Sequence, residues 1–483
     1  MTPSTYIVRT RTAAAALAAA VLAGCSFIPT YERPSAPVPG SYPGASATDA
    51  QQGKAAADIR WQDYFTDPQL QTLISLALEN NRDQRVAMLR VEQARAQFDI
   101  QRAAEYPTAN AMGGFTRQPN PANQNKYGSV YQAGLAITGW EIDFFGRIAA
   151  LKEQALAQYL ATDEARKAGQ ISLVAAVASG WLALVADDEL LDLSERTLQT
   201  REESVKLTRL RLEHGVSSEL DLRQAQSLAE QARATLAQQQ RQRMLDENAL
   251  TLLVGQAIPD ELLARPGQRR LAKTAPMQAL PAGLPSQLLQ HRPDIIAAEQ
   301  QLIGANASIG AARAAFFPRI ALTAQFGSTS TELSGLFKGG SWAFSLAPQA
   351  VLPIFDAGRN QANLEAAQVG REIAVAQYEK SIQTAFREVA DALAGRATLQ
   401  NQLDAQAAQT RSDTRRFELS DLRYRNGVAS YLDLLDAQRS LYASEQALVL
   451  TRLQQLQNQV VLYKVLGGGW SAEDEIRSLA ERG

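Results

Sequence analysis

The residues able to do chemistry in this chain are few. One cysteine, Cys25, stands alone among 483 residues, and the two histidines, His214 and His291, lie far apart. A disulfide within the chain and a thiolate metal cluster are therefore excluded. No nucleophile, metal set or coupled acid and base suggests catalysis, and no cofactor is implied. Carboxylates remain. Asp221 and Asp433 each stand three residues after a serine, in Ser218-x-x-Asp221 and Ser430-x-x-Asp433. That is the spacing of a helix capping box, with aspartate in place of the preferred glutamate or glutamine. Asp436 comes one turn after Asp433 and has no such local role. A formal net charge of −2 offers no basic excess for binding nucleic acid.

The place of the cysteine decides its chemistry. Residues 1–24 carry Arg9 and Arg11, then AAAALAAAVLAG, a positive stretch followed by an apolar run too short to span a membrane. The run ends in Leu22-Ala23-Gly24-Cys25, which resembles the lipobox of bacterial lipoproteins. The resemblance implies cleavage before Cys25 and a diacylglycerol on its thiol. The other reading is an ordinary signal peptide with an incidental cysteine. Acyl chains contribute about 0.8 kcal/mol per buried methylene, so a multiply acylated end stays in its membrane. Ser26 stands where an aspartate would favour the inner membrane, which points to the outer one. The proline-rich stretch within 25–60 reads as an extended tether.

The elements that must position the carboxylates occur twice. EHGVSSELDLRQAQ at 213–226 returns as RNGVASYLDLLDAQ at 425–438. Gly215 and Gly427, Asp221 and Asp433, and Gln226 and Gln438 are each 212 apart. Asp83 and Asp294, Ala94 and Ala305, and Pro107 and Pro318 are each 211 apart, so one single-residue indel reconciles the two copies. The chain divides into a first repeat at 61–260, a connection at 261–290, a second repeat at 291–468 and a tail at 469–483. A period this long is no solenoid.

Proline-free runs locate the long helices, because an interior proline costs about 3 kcal/mol. The periodicity predicts helices over about 146–213 and 218–254, repeated at 358–425 and 430–466. A helix of that length extends about 100 Å, well beyond the globular norm, and implies a coiled-coil-like array. Each long helix stops at a glycine suited to the left-handed end conformation, and a capped helix follows. The repeated phrase is thus the tip of a helical hairpin. His214 reads as a helix C-terminal cap, Trp181 and Phe386 as packing between helices, and Arg241–Arg243 as a solvated helix face.

Shorter helices over 82–105 and 293–315 precede four strand candidates at about 106–118, 128–141, 317–328 and 340–354. Tyr131, Ala133, Leu135 and Ile137 alternate with small or polar residues, as do Trp342, Phe344 and Leu346, whereas 107–117 alternates poorly. Alternation over about ten residues fits transmembrane β-strands or a soluble antiparallel sheet. Four strands close no membrane barrel, and an open edge in lipid leaves backbone groups unpaired. If the strands enter a membrane, several chains share one barrel.

Together LAGC, HRPDIIAAEQQL, IGAARAAFFPRI, FDAGR and GVASYLDLLDAQRSLY resemble outer membrane efflux proteins of the TolC superfamily, on the lipidated OprM/NodT-like branch. The resemblance runs from Cys25 to about residue 470. It implies a mixed α and β membrane protein: a homotrimer in which each chain gives four strands to a shared twelve-stranded outer-membrane barrel and its helices to a periplasmic α-barrel. It also implies a periplasmic adaptor and an inner-membrane pump, of RND type, as partners. It places Asp433 and Asp436 as acidic rings at the narrow periplasmic end and Leu432 as an apolar ring. Tyr424 and Asp221 match a pair that holds the tip closed, through a hydroxyl-to-carboxylate hydrogen bond. The family's further arginine in that network falls on Ala429. Gly215, Val216, Gly427 and Val428 match the tips that meet the adaptor. For Asp433 plain capping is an alternative role, and for the glycines plain turn chemistry. At the level of the whole chain a protein-secretion duct and a structural coiled-coil lipoprotein remain as alternatives to drug efflux.

Overall fold

The computed structural model describes residues 26–43, 54–120, 126–263, 270–274, 277–278, 280–281, 288–289 and 291–470. The acylation site expected at Cys25, most of the connection at 261–290 and the tail from 471 lie outside the described residues. The main elements run α1 (Pro68–Asn80), α2 (Arg82–Ala103), β1 (Ala109–Asn120), β2 (Lys126–Glu141), α3 (Arg147–Glu213), α4 (Glu219–Val254), α5 (Pro293–Ala314), β3 (Arg319–Ser330), β4 (Trp342–Val351), α6 (Arg359–Arg425) and α7 (Tyr431–Val465). α3 and α6 have 67 residues each. Periodicity alone does not anticipate α1. It is capped by Asp67, which accepts from the Gln69 and Leu70 amides at 2.9 and 3.4 Å, with Pro68 in the first helical position.

The chain forms two compact units, and the long helices contribute to both. The first comprises residues up to Ser35, Arg90–Asp163 and Ala297–Lys380. It holds one antiparallel sheet in the order β1-β2-β3-β4. Register explains its chemistry. Phe115 faces Tyr131, Ala111 faces Leu135, Leu135 faces Phe326, and Phe326 faces Phe344. Directly opposed residues share a face, so these side chains and Leu346 and Trp342 make one apolar surface. The other face carries Met112, Gln132, Gln325 and Ser345 among small residues. Most of the large apolar side chains are exposed, Phe344 at 68% and Leu135 at 57%. β1 pairs only with β2, and β4 only with β3, so both edges of the described sheet are open. β1 proves a full strand despite its weak alternation, because Gly113, Gly114 and the alanines offer no contrast to read.

The N-terminal segment is extended, but in this unit it is not a loose tether. It is seated on α5. The rings of Phe27 and Phe317 stack at 4.6 Å, and Phe317 stacks in turn on Phe145 at 5.0 Å. Asn306 Nδ2 donates to the Pro29 carbonyl at 2.7 Å, and Arg313 Nη1 to the Phe27 carbonyl at 3.2 Å. Arg33 and Tyr31 both donate to Glu299. A Cβ on Gly310 would meet Ile28 Cγ1 at 2.6 Å and its backbone at 3.0 Å, so only glycine admits the strap there. At the repeat offset of 211, Glu299, Asn306 and Gly310 correspond to Met88, Arg95 and Asp99. The duplicated helix α2 therefore lacks the seat.

The second unit comprises Ala36–Leu89, Glu164–Ile296 and Ser381 onward. Its core is aromatic and aliphatic. Tyr64 stacks on Tyr463 at 4.0 Å and 7°, and Phe65 meets both edge-on. The Tyr463 hydroxyl donates to the Ile59 carbonyl at 2.6 Å, and that of Tyr64 to the Gln459 carbonyl at 2.9 Å. Trp181 is buried among helices and donates to Asp67 at 3.3 Å, while Phe386 stacks on Tyr42 at 5.1 Å. α3 contains a stretch apolar enough to cross a membrane by composition, but Val177, Ala178 and Leu182 are wholly buried inside this unit.

Candidate functional site

Both hairpin tips lie in the second unit and are built alike. Gly215 and Gly427 share φ of 71°. The amides of Val216 and Val428 donate to Arg211 and Arg423 carbonyls at 2.8 and 2.9 Å, and those of Gly215 and Gly427 to Leu212 and Tyr424 at 3.0 and 3.1 Å. This is the paired closure of a glycine-terminated helix. It leaves Val216 and Val428 exposed at 67% and 68%. The next helices start with complete capping boxes. Ser218 Oγ accepts from the Asp221 amide at 3.1 Å, and Ser430 Oγ from the Asp433 amide at 3.2 Å. In return Asp221 and Asp433 accept from the Ser218 and Ser430 amides at 3.1 and 3.2 Å. The copies differ beside the box: Ser217 adds a bond to Asp221 at 3.0 Å, and its counterpart is Ala429. Partial burial would raise the Asp221 pKa, but hydrogen bonds from Ser218 and Ser217 outweigh it and hold the carboxyl below its ordinary value.

The two hairpins pack together through Ala225, Leu228, Tyr424, Tyr431, Leu434 and Leu435. Tyr424 is buried, its ring 5.4 Å from that of Tyr431, with the Arg211 guanidinium over the ring at 4.5 Å from its centroid. The expected bond from the Tyr424 hydroxyl to Asp221 is not formed within the chain. Asp221 is turned to its own cap, and Tyr424 serves as a core ring. Leu432 is 62% exposed, like its repeat partner Leu220 at 66%.

Asp436 is exposed, as a pore-facing acid must be, yet it is not alone. Arg416 on α6 donates to its Oδ2 and reaches Ser440 Oγ at 3.3 Å. Asp433 and Asp436 border an open groove of about 880 Å³ whose α6 wall carries Arg411, Arg415, Arg416 and Arg423. Sequence reasoning missed Arg416. The signal was present, since the repeat places Ser204, Gln224 and Leu228 where the second copy has Arg416, Asp436 and Ser440.

Away from the tips, the same unit buries a carboxylate cluster between α3 and α4. Asp188 is 1% exposed and pairs with Arg243 at 2.7 Å, and Arg243 also holds Glu247 at 2.7 Å. Arg243 is thus an interior partner and not part of a solvated face. Beside it, burial pushes the Asp187 carboxyl up to about 8, helped by a hydrogen bond with Asp246 and by the charges of Asp246 and Asp188, against Arg243. No group of three or more metal-binding side chains occurs among the described residues.

With this geometry in view, comparison with known proteins is decisive. The model of the family described as outer membrane efflux protein matches residues 73–256 and 284–468, one match for each repeat. The chain belongs to the outer membrane efflux protein family. It is similar to the probable efflux pump outer membrane protein TtgC of Pseudomonas putida, at 47% identity over 462 residues, 94% of this chain and 95% of that protein. It is also similar to the outer membrane protein OprJ of Pseudomonas aeruginosa, at 46% over 475 residues and 96% of each. Among solved structures it is similar to the open state of the Neisseria gonorrhoeae MtrE outer membrane channel, with a TM-score of 0.84 and 40% identity over 92% of this chain and 98% of that one. Membership in this family makes the four-stranded sheet, with its exposed apolar face, part of an outer membrane protein.

Proposed function

We propose that three copies of the chain form the outer-membrane exit channel of a tripartite efflux pump. The observation that carries this reading is the sheet: four strands, one apolar exposed face and two open edges. Such a sheet is stable in lipid only when its edges are paired by further copies. Three sheets of this kind make a twelve-stranded barrel. The paired long helices supply the periplasmic duct, and Cys25 carries the lipid that anchors the chain at the outer membrane.

The hairpin tips form the periplasmic gate. Leu432, Asp433 and Asp436 face the pore, and Tyr424 and Asp221 stiffen the junction that must loosen for it to open. Val216 and Val428, raised by Gly215 and Gly427, are the apolar points that meet a periplasmic adaptor, which couples the channel to an inner-membrane pump of the RND type. The efflux-pump names of the relatives support small drugs or solvents as cargo, with selection made at the pump.

Two measurements on the purified full-length protein test the reading together: mass in detergent, and current across a planar bilayer. A trimer that gives unitary conductance steps is expected. A monomer without conductance, in a preparation that retains its β-structure, would overturn it.

A further inference from the structure

Asp436 brings a negative charge to the tip, but the structure gives that charge an owner. Arg416 Nη2 holds Asp436 Oδ2, and the second Nη of the same guanidinium reaches Ser440, one turn further along α7, at 3.3 Å. Both partners of the ion pair remain solvent-facing, with side chains 49% and 60% exposed. Asp433 is also engaged, accepting from the amide and hydroxyl of Ser430 at 3.2 and 3.0 Å. The α6 wall of the groove bears Arg411, Arg415, Arg416 and Arg423. Arg415 is itself paired with Glu418 at 2.8 Å, and Arg416 is the arginine of this wall that holds Asp436. The arrangement belongs to one repeat only: Ser204 and Gln224 replace Arg416 and Asp436 in the other hairpin. The two copies share the glycine turn and the capping box, while this charge pair is present in one of them only.

We infer that Arg416 is a selectivity-determining residue of the channel, clamping Asp436 and cancelling its charge so that the tip does not act as a bare acidic filter. This rests on the channel reading above. An exposed ion pair adds little to stability, but its effect on a passing ion depends only on where the charges sit. At low salt, where charges act over about a Debye length, the paired acid adds little net negative field to the tip. The wild-type channel then discriminates weakly between cations and anions.

The test is the reversal potential of the reconstituted full-length channel under a potassium chloride gradient at low ionic strength. Arg416→Gln should raise the potassium-to-chloride permeability ratio severalfold. Asp436→Asn should move it the opposite way, and the double variant should return it near the wild-type value. A merely structural role for Arg416 would alter conductance or opening without this charge-ordered pattern. An Arg416→Gln reversal potential equal to wild type, in a channel that responds to Asp436→Asn, overturns the clamp and leaves the channel reading intact. Absence of current from wild type and all variants, with trimers inserted, overturns both.

Discussion

Arg33 closes on Glu299 through two parallel hydrogen bonds, Nε to Oε1 at 2.7 Å and Nη2 to Oε2 at 2.8 Å. Tyr31 adds a third contact at 2.9 Å. The carboxylate is nearly buried, with 8% of its side chain exposed, whereas Arg33 is half exposed. This asymmetry means that loss of Arg33 strands a buried charge. Arg33→Ala should destabilise the strap by about 1–2 kcal/mol, discounted for the exposed partner. Limited proteolysis should then cut residues 26–35 faster, and urea unfolding should begin earlier.

Gly310 offers an independent test of the same seat. Gly310→Ala introduces no backbone strain within α5 but drives a methyl into Ile28. Overpacking of this kind costs about 1–3 kcal/mol. Because α5 itself tolerates alanine, the effect should appear as release of the strap, read by the same proteolysis, with helicity by circular dichroism unchanged.

Asp187 predicts a pH dependence in the periplasmic helices. Its carboxyl titrates at about 8 in the folded chain and at 3.8 in the unfolded one. The folded state therefore holds a proton that the unfolded state releases between those values. Stability falls as pH rises through that window, being fully present below the lower value and lost above the upper. Unfolding midpoints measured from pH 5 to pH 8.5 should show this decline, and Asp187→Asn should flatten it.

Tyr424 acts through its ring. Tyr424→Phe keeps the packing on Tyr431 and the contact with Arg211, so channel leak should stay at the wild-type level. Tyr424→Ala opens a cavity between the hairpins and should cost about 3–5 kcal/mol, with increased leak in the bilayer. A rise in leak from Tyr424→Phe alone would instead mark a hydroxyl bond made in the assembled channel.

The tips should answer symmetrically to loss of their caps. Ser218→Ala and Ser430→Ala each remove one acceptor from a helix start and should each cost about 1 kcal/mol. Amide exchange at the first turns of α4 and α7 should quicken by similar factors.

What was legible in the sequence was local or repeated. Glycine, serine and aspartate at fixed offsets disclosed both tips, and absence of proline disclosed α3 and α6. The strap was not legible, because its hydrogen bonds join residues 266 to 286 positions apart and a proline-rich coil carries no periodicity. Asp187 and Asp246 gave no sign either, since burial of a carboxyl pair between helices depends on tertiary packing. Tyr424 and Asp221 looked like partners by position, but each found a nearer one. Arg416 was legible in principle, since its counterpart Ser204 breaks the duplication at the same place as Gln224.

The open edges of the sheet have a genetic consequence. In the proposed channel a strand edge is completed by the neighbouring copy, so each copy is an arc that no other part of the ring can replace. A chain damaged in β1 or β4 but intact in its helices would still be recruited by healthy copies, and would spoil every ring it joined. Lesions in these strands should therefore be dominant over a wild-type allele, whereas lesions that prevent the helices from folding should be recessive.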